Sequence, residues 1–253
     1  MTLRLFHLYK YVLTGCAIFI ATSCSSNKSS ENNQADAAIE TEKYVSGLDS
    51  ANFAKYWMVE SESPDYKVSF QGDTVEILSP KGLTLWRKQA FTAPVTIEYD
   101  ACVVDESADD RLSDLNCFWM ASDPHVEGGD IATRLNERQG VFLNCYAMQL
   151  YYMGYGGNHN STTRFRRYDG NEEGITDAEK RPAILVEYTD SAHLLQPNHW
   201  YHIKLENVAD TVRYYIDGEK LVDFVDPQPL DKGYFGFRTT LSRTRLTNFK
   251  ADK

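Results

Sequence analysis

The chain has 253 residues, of which 42% are hydrophobic, 13% aromatic and 25% charged, and its formal net charge is −10. That acidic balance excludes a broad basic face able to displace counter-ions, so no nucleic-acid partner is expected. Once an atypical start is set aside, roughly 200 residues remain, enough for one domain with a substantial core.

Residues 1–23 read as an export signal. Arg4 and Lys10 supply the positive start, and the apolar stretch over 11–21 is too short to span a bilayer, which needs about 20 apolar residues. The stretch ends at Ala21-Thr22-Ser23-Cys24, which resembles a bacterial lipoprotein cleavage box with Cys24 as the acylated residue. Cys16 follows a similar box without an apolar run before it, and plain secretory cleavage near Cys24 is the alternative. The expectation is a protein held at the cell envelope, on a periplasmic or outer-membrane surface, touching the membrane through the Cys24 lipid alone. Residues 24–44 are rich in Ser, Asn, Glu and Ala and predict a flexible tether, leaving 45–253 as the folded domain.

From Tyr56 onward the pattern is two-residue alternation with β-branched and aromatic runs. It predicts strands over 66–71, 74–78, 83–87 and 95–104, with Gly72-Asp73 and Lys81-Gly82 as turns. Further strands are predicted over 115–121, 141–155, 163–168, 183–188, 200–206 and 212–216. Asp217-Gly218 supplies the positive φ of a tight hairpin, and strands over 221–225, 234–239 and 244–249 close the chain. Residues 124–139 and 171–180 interrupt the series as polar loops or short helical insertions. So many short strands mean an all-β sandwich or barrel. The segments at 200–206, 215–218 and 233–238 look like the concanavalin-like jelly roll of two antiparallel sheets.

Cys102, Cys117 and Cys145 each sit in an apolar strand-like context, so buried thiols are the default, with one disulfide as the alternative. The acidic run at Asp105, Glu106, Asp109, Asp110 and Asp114 lacks the glycine and spacing of a Ca²⁺ loop and reads as solvated, so no metal or cofactor is expected.

The most informative segment is 149–170, where a tyrosine-rich run, the turn Gly156-Gly157-Asn158-His159-Asn160 and three arginines lie together. Guanidinium forks suit carboxylates and sulfates, and aromatic rings suit sugar faces, so the constellation points to an anionic oligosaccharide. The competing reading is an exposed strand whose arginines pair with Asp169, Glu172, Glu173 and Asp177. Strand alternation puts Arg164, Arg166 and Tyr168 on one face, with Phe165 and Arg167 on the other, which suits Arg167 to a structural ion pair. Tyr152 and Tyr155 cannot share a face unless Gly154 marks a bulge. Asp114 and Asn116 share a face opposite Trp119, so either the polar pair or the Trp faces a ligand.

Residues 111–124, RLSDLNCFWMASDP, together with Tyr-Gly-Gly-Asn at 155–158 and Arg-Phe-Arg-Arg-Tyr at 164–168, resemble a family of bacterial jelly-roll proteins from polysaccharide-utilisation clusters. The resemblance covers roughly 52–250, and the ulvan-active oligosaccharide dehydratases are its nearest named members. It implies removal of water across C4 and C5 of a glucuronic or iduronic acid at a non-reducing end, leaving an unsaturated uronic acid. That chemistry needs a carboxylate neutraliser, a base and an acid. Arg164 and Arg166 are the candidate neutralisers, His159 the candidate base, and Tyr152 or Tyr155 the proton donor or anionic base. Asp114, Asn116, Trp119, Asn158, Arg167 and Tyr168 are candidate substrate contacts, and His125, His199 and His202 are the next titratable candidates. An endo-acting polysaccharide lyase and a non-catalytic glycan-binding lipoprotein are the competing functions.

Overall fold

The computed structural model describes residues 45–252. The signal over 1–23, the Cys24 lipidation site and the tether over 24–44 lie outside the described residues. A short helix, Phe53–Tyr56, leads into β1 (Trp57–Ser61), β2 (Lys67–Gln71), β3 (Thr74–Arg87), β4 (Phe91–Thr92), β5 (Val95–Val104) and β6 (Leu115–Ser122). They are followed by β7 (Gln149–Gly156), β8 (Thr162–Asp169), β9 (Val186–Tyr188), β10 (Trp200–Val208), β11 (Thr211–Ile216), β12 (Glu219–Val225) and β13 (Lys232–Asp252).

The strands pair antiparallel in the order β12-β11-β10-β5-β13-β6-β7-β8-β9, giving the all-β jelly-roll architecture. The two expected sheets are continuous, because one 21-residue strand serves both. The first part of β13, Tyr234 to Arg238, pairs with β6, and its second part, Arg243 to Asp252, pairs with β5. β3 runs along β13 through the changeover.

This explains two departures from the sequence reading. The segments expected as separate strands at 74–78 and 83–87 are one strand, as are those at 234–239 and 244–249. The β3–β13 ladder shifts between Thr240 and Ser242, where Leu241 takes φ 52°, so a bulge bends the strands without ending them. Gly82, expected in a turn, lies inside β3. A Cβ there would come 2.5 Å from the Gly140 carbonyl and 2.7 Å from Arg238 Nη2. The third departure is at 141–155, where Phe142–Ala147 forms a 3₁₀ segment and β7 begins only at Gln149. A short apolar run cannot distinguish a strand from a buried helical turn.

Between the layers, Trp119, Tyr151 and Phe165 of β6–β8 meet Ile203, Tyr214 and Leu221 of β10–β12. Burying each such aromatic contributes about 2–3 kcal/mol. Polar atoms in this core are satisfied across it. Trp119 Nε1 donates to Asn207 Oδ1 at 2.8 Å, and Tyr151 Oη donates to Asp226 at 2.7 Å. A second cluster, including Trp86, Phe118, Tyr146, Tyr152 and Tyr168, covers the opposite face of β6–β8. Cys102, Cys117 and Cys145 are buried free thiols, with burial pushing Cys117 and Cys145 up to about 12.

The acidic run closes on the β13 arginines. Asp110 accepts from Arg243 Nε at 3.0 Å and Nη2 at 2.7 Å, and also from the Glu106 and Ser107 amides. These donors hold the Asp110 carboxyl well below the usual carboxylate range, the Arg243 hydrogen bonds contributing most. A depressed carboxylate stabilises the fold above its unfolded-state pKa, and that stability is lost as pH falls towards the folded-state value. Asp110→Asn is therefore expected to cost about 2 kcal/mol at neutral pH. The gap to wild type should narrow below the ordinary carboxylate range. Thermal unfolding of both chains across acidic pH checks this, and a pH-independent gap would count against the pairing.

Candidate anion-binding pocket

The ladder brings residues distant in sequence into rows across the second face. Arg238 of β13 lies opposite Asn116 of β6, Asn116 opposite Gly154 of β7, and Gly154 opposite Arg164 of β8. In the next row Phe118 lies opposite Tyr152, and Tyr152 opposite Arg166. Gly154 is required by this arrangement, because the Tyr152 hydroxyl occupies the space a side chain there would fill. The rows form the floor of a cavity of about 300 Å³, walled by Arg111, Asp114, Phe142, Tyr146, Asn158, His159, Thr162 and Thr240. That volume is at the lower end of the range for small-ligand sites.

Four arginines line it in two distinct states. Arg164 Nε is paired with Glu187 at 2.6 Å, and Arg111 Nη1 with Asp114 at 3.0 Å. Arg166 donates to the Pro182 carbonyl and makes no ion pair among the described residues. Arg238 is 1% exposed and likewise has no ion pair among the described residues. Its Nη1 donates to Thr84 Oγ1 at 3.1 Å and to the Gly140 carbonyl at 3.0 Å, and its guanidinium lies 5.2 Å from the Phe142 ring centroid. A buried charge without an ion-paired partner costs several kcal/mol, and the nearby Glu62 carboxylate, on the other side of Gly82, makes no ion pair with Arg238.

Asp114 is the one carboxylate among the lining residues, and it is already occupied. It takes φ 67° and accepts from Arg111, from Ser113 Oγ at 2.9 Å and from Asn116 Nδ2 at 3.3 Å. Burial pushes the Tyr152 phenol above its ordinary value; Asp114 adds to this, while Arg238 and Arg166 oppose it. Tyr152 is therefore a protonated phenol at neutral pH. Burial raises Tyr146 in the same direction.

His159 stands exposed at the mouth, within the turn Gly157–Asn160. Asn158, His159 and Asn160 take φ 52°, 59° and 56°, three successive left-handed residues in a region that only glycine enters freely. The turn is tied down on both sides. Asn158 Nδ2 donates to Thr162 Oγ1 at 3.1 Å, and Asn160 exchanges two hydrogen bonds with the Leu195 backbone at 2.9 and 2.8 Å.

Of the residues singled out in the sequence, Tyr152, His159, Arg164, Arg166, Asp114, Asn116 and Asn158 meet in this cavity. Four others do not line it. Tyr155 faces the inter-sheet core, donating to the Leu194 carbonyl at 3.4 Å with its ring 5.3 Å from Tyr201, because it is three residues from Tyr152 in a regular strand. Trp119 faces that same core, as alternation from Asn116 requires. Arg167 pairs with Asp226 at 2.6 Å and with Asp169, beside a separate cavity. Tyr168 is fully buried, its ring 5.1 Å from Tyr146 and 5.8 Å from Tyr152. His125, His199 and His202 are in surface pairs with Glu172, Asp217, and Glu98 with Asp100 respectively. Arg111, Phe142, Tyr146 and Arg238 were not anticipated. For Arg238 the available signal was a charge within Gly233-Tyr234-Phe235-Gly236-Phe237-Arg238, on the face opposite Phe235 and Phe237.

Residues 77–249 match the family described as a domain of unknown function, DUF6250, and the chain belongs to that family. No curated protein matches it in sequence. Its fold is similar to that of a Bacillus subtilis protein of unknown function with a galectin-like fold (TM-score 0.63, 16% identity, 82% of this chain and 94% of that one). It is also similar to the carbohydrate-binding module CBM66 from Bacillus subtilis (TM-score 0.50, 14% identity, 78% and 95%). At these identities the likeness is one of fold.

Proposed function

We propose that this pocket takes the carboxylate of a uronic acid at the non-reducing end of an oligosaccharide, and that the chain removes water across C4 and C5 of that sugar. Ulvan-type oligosaccharides are the substrate class, and the Cys24 lipid holds the enzyme at the cell envelope. The observation that carries the reading is the buried Arg238, with Arg166 lining the same sugar-sized cavity, neither in an ion pair among the described residues. The sequence resemblance to the ulvan-active dehydratases supports the same chemistry.

The C5 hydrogen is poorly acidic while the adjacent carboxylate carries its full charge. Arg238 and Arg166 stabilise the negative charge that builds on the carboxylate as the proton leaves. His159 accepts that proton. The electron pair of the C5–H bond forms the C4–C5 double bond, the C4–O bond breaks, and Tyr152 gives its phenolic proton to the departing hydroxyl, which leaves as water. Solvent then carries the proton from His159 back to Tyr152.

The test is incubation of the purified chain with saturated uronate-terminated oligosaccharides, following the ultraviolet absorbance of the conjugated product and its mass. Loss of one water with the chain length unchanged is the expected result. Shortened chains would mean an endo-lyase, and binding without turnover would mean a glycan-binding protein.

A further inference from the structure

The charge at the pocket floor calls for a carboxylate, and a second unsatisfied group beside it calls for something else. Asn116 is 3% exposed, lies on the pocket side of β6 and stands opposite Arg238 in the ladder. Its amide orientation is set by its neighbour. Nδ2 donates to Asp114 Oδ1 at 3.3 Å, and a carboxylate held by Arg111 and Ser113 can only accept. The carbonyl oxygen is thereby left as the other end of the amide, and Asn116 Oδ1 is buried with no donor among the described residues. Buried acceptors in folded proteins are nearly always satisfied, and one that is not marks a place where a partner is missing.

The lining side chains do not supply that partner in the resting pocket. Arg111 Nη1 is used by Asp114 and the Thr240 carbonyl, Arg238 Nη1 by Thr84 and Gly140, and Asn158 Nδ2 by Thr162. The unpaired Arg111 Nε and the Tyr152 hydroxyl make no hydrogen bond to Asn116. A carboxylate cannot supply it either, since it carries no proton to donate. The missing partner is a neutral donor held next to the anion.

We infer that Asn116 Oδ1 is the acceptor for a free hydroxyl on the ligand's carboxylate-bearing ring, so that the pocket selects hydroxy acids of the sugar type and rejects analogues in which that hydroxyl is missing or capped. This rests on the uronate reading above and adds a specificity determinant to it. A site that buries an acceptor for a ligand hydroxyl discriminates strongly, because the analogue without the hydroxyl leaves the acceptor unpaired in the complex. Simple anions such as acetate would meet the arginines and leave Asn116 unsatisfied, so they should bind far less tightly than a sugar acid of the same charge.

The experiment uses the full chain and calorimetric titration with methyl glucuronide, its singly deoxygenated ring analogues and its singly O-methylated ones. One ring position is expected to stand out, with removal or methylation of its hydroxyl weakening Kd by roughly ten-fold or more. Asn116→Leu, similar in size and without an acceptor, should then bind the parent and that analogue with nearly equal Kd. Asn116→Ala serves instead where the Leu chain does not retain a cooperative melt. Deoxygenated analogues that all bind within about two-fold of the parent would overturn the inference while leaving the uronate reading intact. So would an Asn116 variant that discriminates as well as wild type. A parent glucuronide that does not bind at all would sink the uronate reading itself, and the inference with it.

Discussion

Replacing Arg238 with methionine is expected to lower turnover of a uronate-terminated oligosaccharide by roughly 10²–10³-fold, with the melting temperature unchanged or raised. The two halves of that expectation have one cause. Arg238 is 1% exposed and has no ion pair among the described residues, so burying its charge opposes folding, and the proposed anion would relieve that cost on binding. Methionine fills a similar volume and keeps contact with the Phe142 ring. It gives up hydrogen bonds to Thr84 and Gly140, a loss partly offset by removing the buried charge. Arg167→Ala should behave in the opposite way. Arg167 holds Asp169, Asp226 and the Gln228 carbonyl away from the cavity, so its loss should lower stability and spare turnover. Arg164, already paired with Glu187, should fall between them, below Arg166 in effect. Steady-state kinetics with thermal melts on the same four chains checks this order. An Arg238→Met chain with full activity would remove the anion site from the mechanism.

The contrast between Arg238 and Arg166 also shows what a sequence can convey. Arg164 and Arg166 announce themselves, because they lie within fifteen residues of Tyr152 and His159 and alternation alone assigns their face. Arg238 sits more than 120 positions after Asn116, and nothing local states that β13 will lie against β6. That neighbour relation follows from a 21-residue strand that changes partner midway, whereas the sequence suggests two strands with a break. Phe142 and Tyr146 were obscured for another reason. Their spacing satisfies a 3₁₀ segment and a strand about equally, and only the fold decides that they wall the pocket. Local period thus carried the face of each residue, while the choice of strand neighbours carried the site. Gly82 and Gly154 belong to the same lesson. Each looks like a turn or a bulge in sequence, and each is small because a site side chain, Arg238 or Tyr152, takes the space beside it.

Tyr152→Phe is expected to lower kcat by roughly 10²–10⁴-fold while leaving KM and oligosaccharide binding close to wild type. The substitution deletes one oxygen and keeps a ring packed 5.5 Å from Phe118, 5.4 Å from Phe142 and 5.8 Å from Tyr168. The hydroxyl has no protein partner among the described residues to lose, so the fold should tolerate the change. Tyr155→Phe is the internal control. That hydroxyl bonds to the Leu194 carbonyl and to Tyr201 in the inter-sheet core, away from the cavity, and its removal should leave kcat unaltered. The protonation state sets the role. Burial, with Asp114 adding to it, raises the Tyr152 phenol despite the pull of Arg238 and Arg166, so the group is protonated throughout the neutral range, as the proposed donor role requires. Wild-type activity should therefore show no loss attributable to Tyr152 until pH exceeds the ordinary phenol range. A pH profile of kcat in wild type, Tyr152→Phe and His159→Ala separates the donor from the acceptor. The His159 variant should lose rate without shifting the alkaline limb, because it removes the proposed acceptor of the C5 proton and leaves the phenol in place. Equal activity in the Tyr152 and Tyr155 variants would mean that the proton for the leaving hydroxyl comes from elsewhere, with Tyr146, the other buried phenol lining the cavity, as the next candidate.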